Sequence, residues 1–206
     1  MNINRFSLFI VPSLLCGHAN VMHAQAEKGE QKKNVLFLIM DDMRTELNCY
    51  GAKYMKTPNM DALASQGVMF ENAYCNVPVS GASRASLFSG LRPGQTRFWD
   101  VNAEIDREAP GTVTLPQYFR ENGYVTISNS KVIHGKNDAK ERSWTEVWMP
   151  EGKSETWRDY LGDENLSVEK QRGGPEPFEC LDVADNAYFD GKTADKTMED
   201  LRRLKK

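Results

Sequence analysis

Histidine and cysteine are scarce in this sequence, which has three histidines and four cysteines among 206 residues. One histidine, His134, lies beyond residue 26, and Cys49, Cys75 and Cys180 do not have the spacing of zinc ligands. Basic runs are absent before residues 202–206, and the formal net charge of -3 excludes nucleic-acid binding driven by charge. Internal repeats and low-complexity segments are absent too. With 40% hydrophobic and 27% charged residues, the chain has the composition of a globular protein.

The first 26 residues have the organisation of a secretory signal peptide. Arg5 precedes an apolar run over residues 6–16, and Ala24-Gln25-Ala26 offers a small-x-small cleavage site. We therefore predict a signal peptide over 1–26 and a mature domain over 27–206, exported to the periplasm or the extracellular space. No second apolar run is long enough to span a bilayer, so we expect no integral membrane anchor.

An acid pair follows the most apolar stretch of the predicted mature chain. Residues 34–40 are continuously apolar after Asn34, which predicts a strand buried on both faces, of the kind found at the centre of parallel sheets. Asp41 and Asp42 come directly after it, where open α/β sheets bind their ligands. Paired carboxylates suit a hard divalent cation such as Ca²⁺ or Mg²⁺, although two solvated loop acids would have the same sequence.

Helix and strand signals alternate along the rest of the chain. Helices are predicted over 57–67 and 114–122, because each has a threonine cap, a proline in its first turn and a glycine at or after its end. Strands are predicted over 68–74 and 124–128, and Lys131 and His134 follow the second one. This alternation indicates a parallel sheet with helices on both faces. The polar residues at its strand ends should then meet at one edge: Asp41, Asp42, Lys131 and His134.

Ser80 lies in a stretch of small residues that leads into a helix-compatible segment ending at Gly90. This pattern predicts a turn with Ser80 near a helix N-terminus, where backbone N–H groups favour an anion. Arg84, one turn later, can reach back toward the same end. Taken alone, the segment could equally be a capping serine with a surface arginine.

The last third of the chain gives fewer functional signals. Residues 136–180 are rich in charge, glycine, proline and tryptophan, and are predicted to form a long loop region. Its tryptophans are expected to be packing anchors, with a saccharide platform as the alternative: Trp144, Trp148 and Trp157. A final amphipathic helix is predicted from apolar residues at helical spacing: Ala194, Met198, Leu201 and Leu204.

Six segments together resemble the N-terminal half of the type I, formylglycine-dependent sulfatases. The shorter matches are residues 34–42, 57–70, 80–84 and 130–134, and the longer ones, 91–97 and 116–126, are most similar to the iduronate-2-sulfatase branch. The resemblance covers most of the predicted mature chain. It implies an alkaline-phosphatase-like α/β fold, with a mostly parallel sheet flanked by helices, of which this chain would be the truncated N-terminal part. It also implies a sulfuric ester hydrolase that removes 2-O-sulfate from uronic acid in glycosaminoglycan-type glycans.

The resemblance also implies roles for individual residues. Ser80 occupies the first position of the family's Cys/Ser-x-Pro/Ala-x-Arg motif, which a maturase oxidises to formylglycine; the serine form is the substrate of anaerobic radical maturases. Asp41, Asp42 and the oxygen on residue 80 would bind calcium (Ca²⁺). Arg84 would fix the hydrated aldehyde, Lys131 would neutralise a sulfate oxygen, and His134 would accept a proton during sulfate release.

Two alternatives to a sulfatase remain at this stage. One is a phosphatase or phosphotransferase of the same superfold that uses unmodified Ser80, although that chemistry usually needs zinc and several histidines. The other is a non-catalytic, truncated remnant. The family takes further metal ligands, a second histidine and a second lysine from its C-terminal half. We therefore expect these residues alone to be inactive, with an open sheet edge and an uncovered apolar face.

Overall fold

The computed structural model describes residues 32–152, 158–168 and 178–205. The predicted signal peptide and Trp157 lie outside the described residues. The chain divides into two compact units, Met1–Leu38 and Ile39–Lys206. The described part of the first unit, residues 32–38, has no helix or strand. Every secondary-structure element below belongs to the second unit.

The second unit contains seven α-helices and two short strands among the described residues. The helices before the sheet are α1 (Pro58–Gln66), α2 (Ser80–Ser89), α3 (Ile105–Glu108) and α4 (Leu115–Glu121). Strand β1 (Ile127–Asn129), helix α5 (Lys140–Ser143) and strand β2 (Glu146–Trp148) follow, and then come α6 (Asp163–Val168) and α7 (Phe189–Leu204). Short 3₁₀ turns occupy Asn48–Tyr50 and Asp185–Ala187.

The predicted helices are confirmed, but the threonine cap predicted for α1 is wrong, because Thr57 makes no capping bond and its Oγ1 instead accepts from the Asn48 N–H at 3.0 Å. Helix α1 follows Thr57 and ends before Gly67, and α2 ends at Gly90, whose φ of 70° is left-handed. Thr114 forms a capping box at α4, where its Oγ1 accepts from the Gln117 N–H at 3.2 Å and its own N–H donates to Gln117 Oε1 at 3.4 Å. Local capping therefore sets the start of α4 and the end of α2.

The sheet is much smaller than predicted. Strands β1 and β2 pair in parallel, with Ile127 opposite Glu146 and Asn129 opposite Trp148, and this pair is the sheet of the described residues. The parallel direction agrees with the prediction, and β1 begins three residues later than the predicted strand over 124–128. The structure thus has the α/β character expected, with helices predominating.

Two predicted strands are wrong. Residues 34–40 and 68–74 are irregular, and all of their large apolar side chains except the partly buried Ile39 are exposed, from 37% for Met69 to 86% for Tyr74. A strand buried on both faces needs neighbours that accept its hydrogen bonds and layers that cover its side chains. Within the described residues the β1–β2 pair extends to neither segment, so the apolar sequence alone does not make a strand.

The core of the second unit forms around helix α2. Ala82, Ala85 and Phe88 on one face of α2 pack with apolar side chains from the chain that follows: Phe98, Ala103, Ile105 and Ala109. Val132 and Ile133 pack against the same cluster. The core therefore holds the start of α2 close to the segment that carries Lys131 and His134.

The described residues between 136 and 168 contain α5, β2 and α6, so this part of the chain is not the long loop predicted. Trp144 meets Phe88 edge to face at 6.3 Å between ring centroids, as expected of a packing anchor, and Trp148 is half-buried in β2. Helix α7 is confirmed, but its apolar residues Met198, Leu201 and Leu204 remain more than 40% exposed. No helix among the described residues is long and apolar enough to cross a membrane.

Candidate active site

Ser80 is the first residue of α2, where the chain turns from extended Val79 into the helix. Its hydroxyl donates to Asp41 Oδ1 at 2.9 Å and accepts from Arg84 Nε at 3.3 Å. Gly81 follows, and a Cβ placed on it would lie 2.0 Å from the carbonyl oxygen of Val101. A side chain cannot fit there, so glycine allows the 101 backbone to pass directly over the start of α2.

Arg84 is the most buried charged group of the cluster, with a side chain 5% exposed. Besides Ser80 it donates to Asp41 Oδ1 at 3.0 Å, and its Nη1 donates to the carbonyl oxygens of Lys131 and Val132 at 3.0 and 2.7 Å. The guanidinium therefore joins the acid, the hydroxyl and the backbone that carries Lys131. A buried guanidinium is tolerated when its N–H groups are paired in this way.

Asp41 is the acid at the centre of these contacts. Ser80 and Arg84 bond to one carboxylate oxygen, and Lys131 Nζ forms an ion pair with the other. Burial raises the pKa of the Asp41 carboxyl, but the hydrogen bonds from Lys131, Ser80 and Arg84 outweigh burial and lower the pKa to about 2. Asp41 is therefore a weak proton acceptor and cannot activate the Ser80 hydroxyl strongly by itself.

His134 is half-buried beside the same charges. Burial lowers the pKa of its imidazole, the positive charges of Lys131 and Arg84 lower it further, and the negative charge of Asp41 opposes them. Its Nδ1 is buried and has no hydrogen-bond partner among the described residues. A neutral imidazole with an unused nitrogen can accept a proton, which is the chemistry a general base requires.

Asp42 does not join the cluster that the sequence predicted for it. Its backbone is left-handed, with φ of 51°, and its exposed side chain makes no hydrogen bond or ion pair with the described residues. Aspartate is one of the few residues that tolerate this conformation. The structure therefore brings together five of the six predicted site residues: Asp41, Ser80, Arg84, Lys131 and His134.

The described residues do not by themselves fit a calcium ion. Calcium takes six to eight oxygen ligands, whereas both oxygens of Asp41 already accept from cationic side chains. No group of three or more acidic, histidine or cysteine side chains in the described part of the chain is arranged to hold a metal. A calcium site that used Asp41, Asp42 and residue 80 would need further oxygens and a rearrangement of the Lys131 contact.

Residues 99–104 border the cluster around Ser80 on two sides, which was not predicted from the sequence. The Val101 carbonyl lies against Gly81, and a Cβ on Gly135 would lie 3.4 Å from Glu104 Oε1. Two aspartates fix this arrangement. Asp138 accepts from the N–H groups of Ile105 and Asp106, both at 2.9 Å, and Asp106 accepts from the N–H of Ala139 at 2.7 Å. Alternation of polar and apolar residues over 100–105, after the adjacent aromatics Phe98 and Trp99, was the available signal.

Fold and cluster together define an α/β protein with a hydroxyl at a helix N-terminus, set among two cations, an acid and a neutral imidazole. A family model described as Sulfatase matches residues 33–206. The chain therefore belongs to the sulfatase family, and its helices and parallel strand pair are part of an alkaline-phosphatase-like domain.

Individual relatives agree with this assignment. The chain is similar to human iduronate 2-sulfatase, with 33% identity over 193 residues that cover 88% of this chain and 34% of the human protein. It is 44% identical to mouse iduronate 2-sulfatase over 111 residues, 54% of this chain and 20% of the mouse protein. An N-acetylglucosamine-6-O-sulfatase from Bacteroides thetaiotaomicron is 33% identical over 110 residues, 52% of this chain and 19% of that protein. The chain thus spans about a third of the human relative's length.

Proposed function

We propose that this chain carries the nucleophile side of a sulfuric ester hydrolase site. The observation that carries the proposal is the contact of Ser80 with Asp41 and Arg84, with Lys131 on the same carboxylate. Two cations and a helix N-terminus around one hydroxyl suit a tetrahedral oxyanion such as sulfate. Membership of the sulfatase family favours sulfate over phosphate.

The nucleophile in this proposal is formylglycine made from Ser80. An anaerobic radical maturase is the proposed partner and removes two hydrogens from the serine side chain to leave an aldehyde. Water adds to the aldehyde to give a hydrate, and one of its hydroxyl oxygens attacks sulfur while the bond between sulfur and the sugar oxygen breaks and the sugar leaves as an alcohol. Deprotonation of the second hydroxyl then re-forms the aldehyde and expels sulfate, which a serine ester cannot do.

The remaining residues of the chain hold charge and protons around residue 80. Arg84 would orient its oxygen, since Nε already bonds to the Ser80 hydroxyl. Lys131, 40% exposed, would leave Asp41 to meet a sulfate oxygen. His134 would accept the proton during sulfate release, which its lowered pKa and unused Nδ1 support.

Calcium is the proposed metal, on family membership. Asp41, Asp42 and the oxygen on residue 80 are the ligands that this chain would supply, and a bound ion would add positive charge beside the sulfate. The remaining oxygens must come from outside the described residues. No step above depends on the ion.

The proposed substrate is a 2-O-sulfated uronic acid in a glycosaminoglycan-type glycan. The support is the similarity to two iduronate 2-sulfatases, the human one over 88% of this chain. We also propose export to the periplasm or extracellular space, on the pattern of residues 1–26.

Mass spectrometry of the Ser80 peptide tests the nucleophile. After co-expression of the full chain with an anaerobic maturase, the peptide should lose the mass of two hydrogens. Ser83→Ala is the matched control, because Ser83 lies in the same peptide and should leave the loss unchanged, whereas Ser80→Ala should abolish it. An unaltered Ser80 would favour a phosphatase-type enzyme or a non-catalytic protein.

Binding of inorganic sulfate to the full chain tests the anion site. Lys131→Ala should weaken binding about fivefold, because a charged hydrogen bond is lost. Lys136→Ala, which removes an exposed lysine from the same segment, should change binding less than twofold. Equal effects of the two variants would mean that sulfate binds only to general surface charge.

A further inference from the structure

Trp99 is unusual among the tryptophans that the structure describes. Its side chain is 75% exposed, whereas Trp144 and Trp148 are half-buried. Single exposed apolar residues are common on proteins and need no explanation by themselves. What distinguishes Trp99 is the fixed backbone on both sides of it and the place where that backbone lies.

The residues flanking Trp99 are firmly anchored. Phe98, fully buried in the α2 core, has a left-handed backbone with φ of 54°, and its N–H donates to Glu108 Oε2 at 2.5 Å. On the other side Ala103 and Ile105 are buried in the same core. The backbone is thus held at Phe98 and again from Ala103, so binding a ligand has mainly the two side-chain torsions of Trp99 to order.

The anchored segment lies beside the candidate active site. The Val101 carbonyl lies over Gly81, next to Ser80, and Glu104 reaches Gly135, next to His134. Trp99 is two residues from Val101, and two residues of extended chain span at most about 7 Å. The Trp99 Cα therefore lies within about 7 Å of the Val101 Cα, on the segment whose backbone passes over the start of α2.

We infer that Trp99 contacts the sugar that carries the sulfate and determines substrate specificity. This inference rests on the proposed function. The cations at Ser80 recognise the sulfate group, which every sulfated sugar shares, and they cannot distinguish the ring that bears it. A flat apolar surface beside them binds the carbon-bound hydrogens on one face of a pyranose through dispersion and burial. Trp99 thus supplies the ring recognition that the charged cluster lacks.

The test compares two probes on the full chain. A disaccharide that contains uronate 2-sulfate reports on sulfate and sugar together, and inorganic sulfate reports on the anion site alone. Trp99→Ala should lower the affinity for the disaccharide about three- to tenfold and change the affinity for inorganic sulfate less than twofold. Trp99→Phe should restore most of the affinity. Tyr118→Ala, which removes a 61% exposed aromatic side chain from α4, is the matched control and should change neither.

The outcomes separate this inference from the proposed function. If the wild-type chain binds the disaccharide and Trp99→Ala binds it equally well, the inference is wrong and the proposed function stands. If Trp99→Ala loses both probes together, Trp99 acts on the structure of the site, and the inference is wrong too. If the wild-type chain binds neither probe, the proposed function fails and this inference fails with it.

Discussion

The start of helix α2 and the apolar segment 34–40 make an instructive contrast. Both are short stretches with a strong sequence pattern. Ser80 and Arg84 form hydrogen bonds with distant residues, whereas Leu36 and its neighbours are exposed. Helix α2 forms its backbone bonds internally and buries one face against residues 98–109. A strand has no internal bonds, so without neighbouring strands an apolar sequence stays irregular.

Removing Arg84 should break this contrast most strongly. Arg84→Ala leaves Asp41 without one cation and two carbonyls without a donor, so the free energy of unfolding should fall by about 3 kcal/mol. Urea denaturation measures the change. Arg92→Ala, an exposed arginine of the following loop, is the control and should stay within about 0.5 kcal/mol. Equal effects of the two variants would show that the Arg84 network does not hold α2 and the 131–132 backbone together.

Filling the space over Gly81 should have the next largest effect. Gly81→Ala forces a methyl group into the Val101 carbonyl, so either α2 or the 99–104 segment must shift, at a cost of about 2 kcal/mol. Gly94→Ala is the matched control, because a Cβ there meets no atom within 4 Å. Thermal melts of both variants check this difference. A stable Gly81→Ala chain would mean that residue 101 does not lie against α2.

Acid titration should expose the contribution of Asp41. Its pKa is lowered to about 2 in the folded chain, so its contribution to stability is full above the unfolded value near 3.8 and disappears as pH falls toward 2. Because the side chain is 36% exposed, we expect only about 1 kcal/mol. Unfolding at pH 5 and pH 2 should therefore differ less in Asp41→Asn than in the wild type. Asp42→Asn should keep the wild-type difference, and a loss of that difference in both variants would contradict the assignment.

A polar substitution in the apolar run should have the smallest effect. Leu36→Ser should change the free energy of unfolding by less than about 0.5 kcal/mol, because the side chain is 53% exposed. Phe98→Ala, in the core, should cost about 3 kcal/mol in the same urea experiment. A large loss in Leu36→Ser would show that residues 34–40 are covered in solution.

The helices could be predicted from sequence more reliably than the strands. The Thr114–Gln117 capping box, the Pro58 start of α1 and the Gly90 end of α2 are interactions between residues at most a few positions apart. The predicted strands over 34–40 and 68–74 depended on partners whose identity no local pattern states. Strand β1 was found with a shifted start, because its register is set by β2, about 19 residues later.

Most residues of the candidate site could be predicted from the sequence, but the way in which they come together could not. The expectation that Asp41, Lys131 and His134 approach Ser80 agrees with the structure, but the reason given, a common sheet edge, does not. Arg84 and the α2 core bring them together instead. The exposure of Asp42 and the position of Trp99 were missed, because each lies at a left-handed residue, Asp42 itself or the neighbouring Phe98, and no local sequence pattern predicts that conformation there.

Sequence by itself determined which residues begin and end the helices, and it placed a hydroxyl and an arginine one turn apart at the start of α2. Tertiary structure alone decided what that pair meets. Arg84 bonds to Asp41 43 positions earlier and to the Lys131 carbonyl 47 positions later. The physical reason is range: caps and helical bonds act within about four residues, whereas an ion pair or a packed core forms only after folding brings distant segments together.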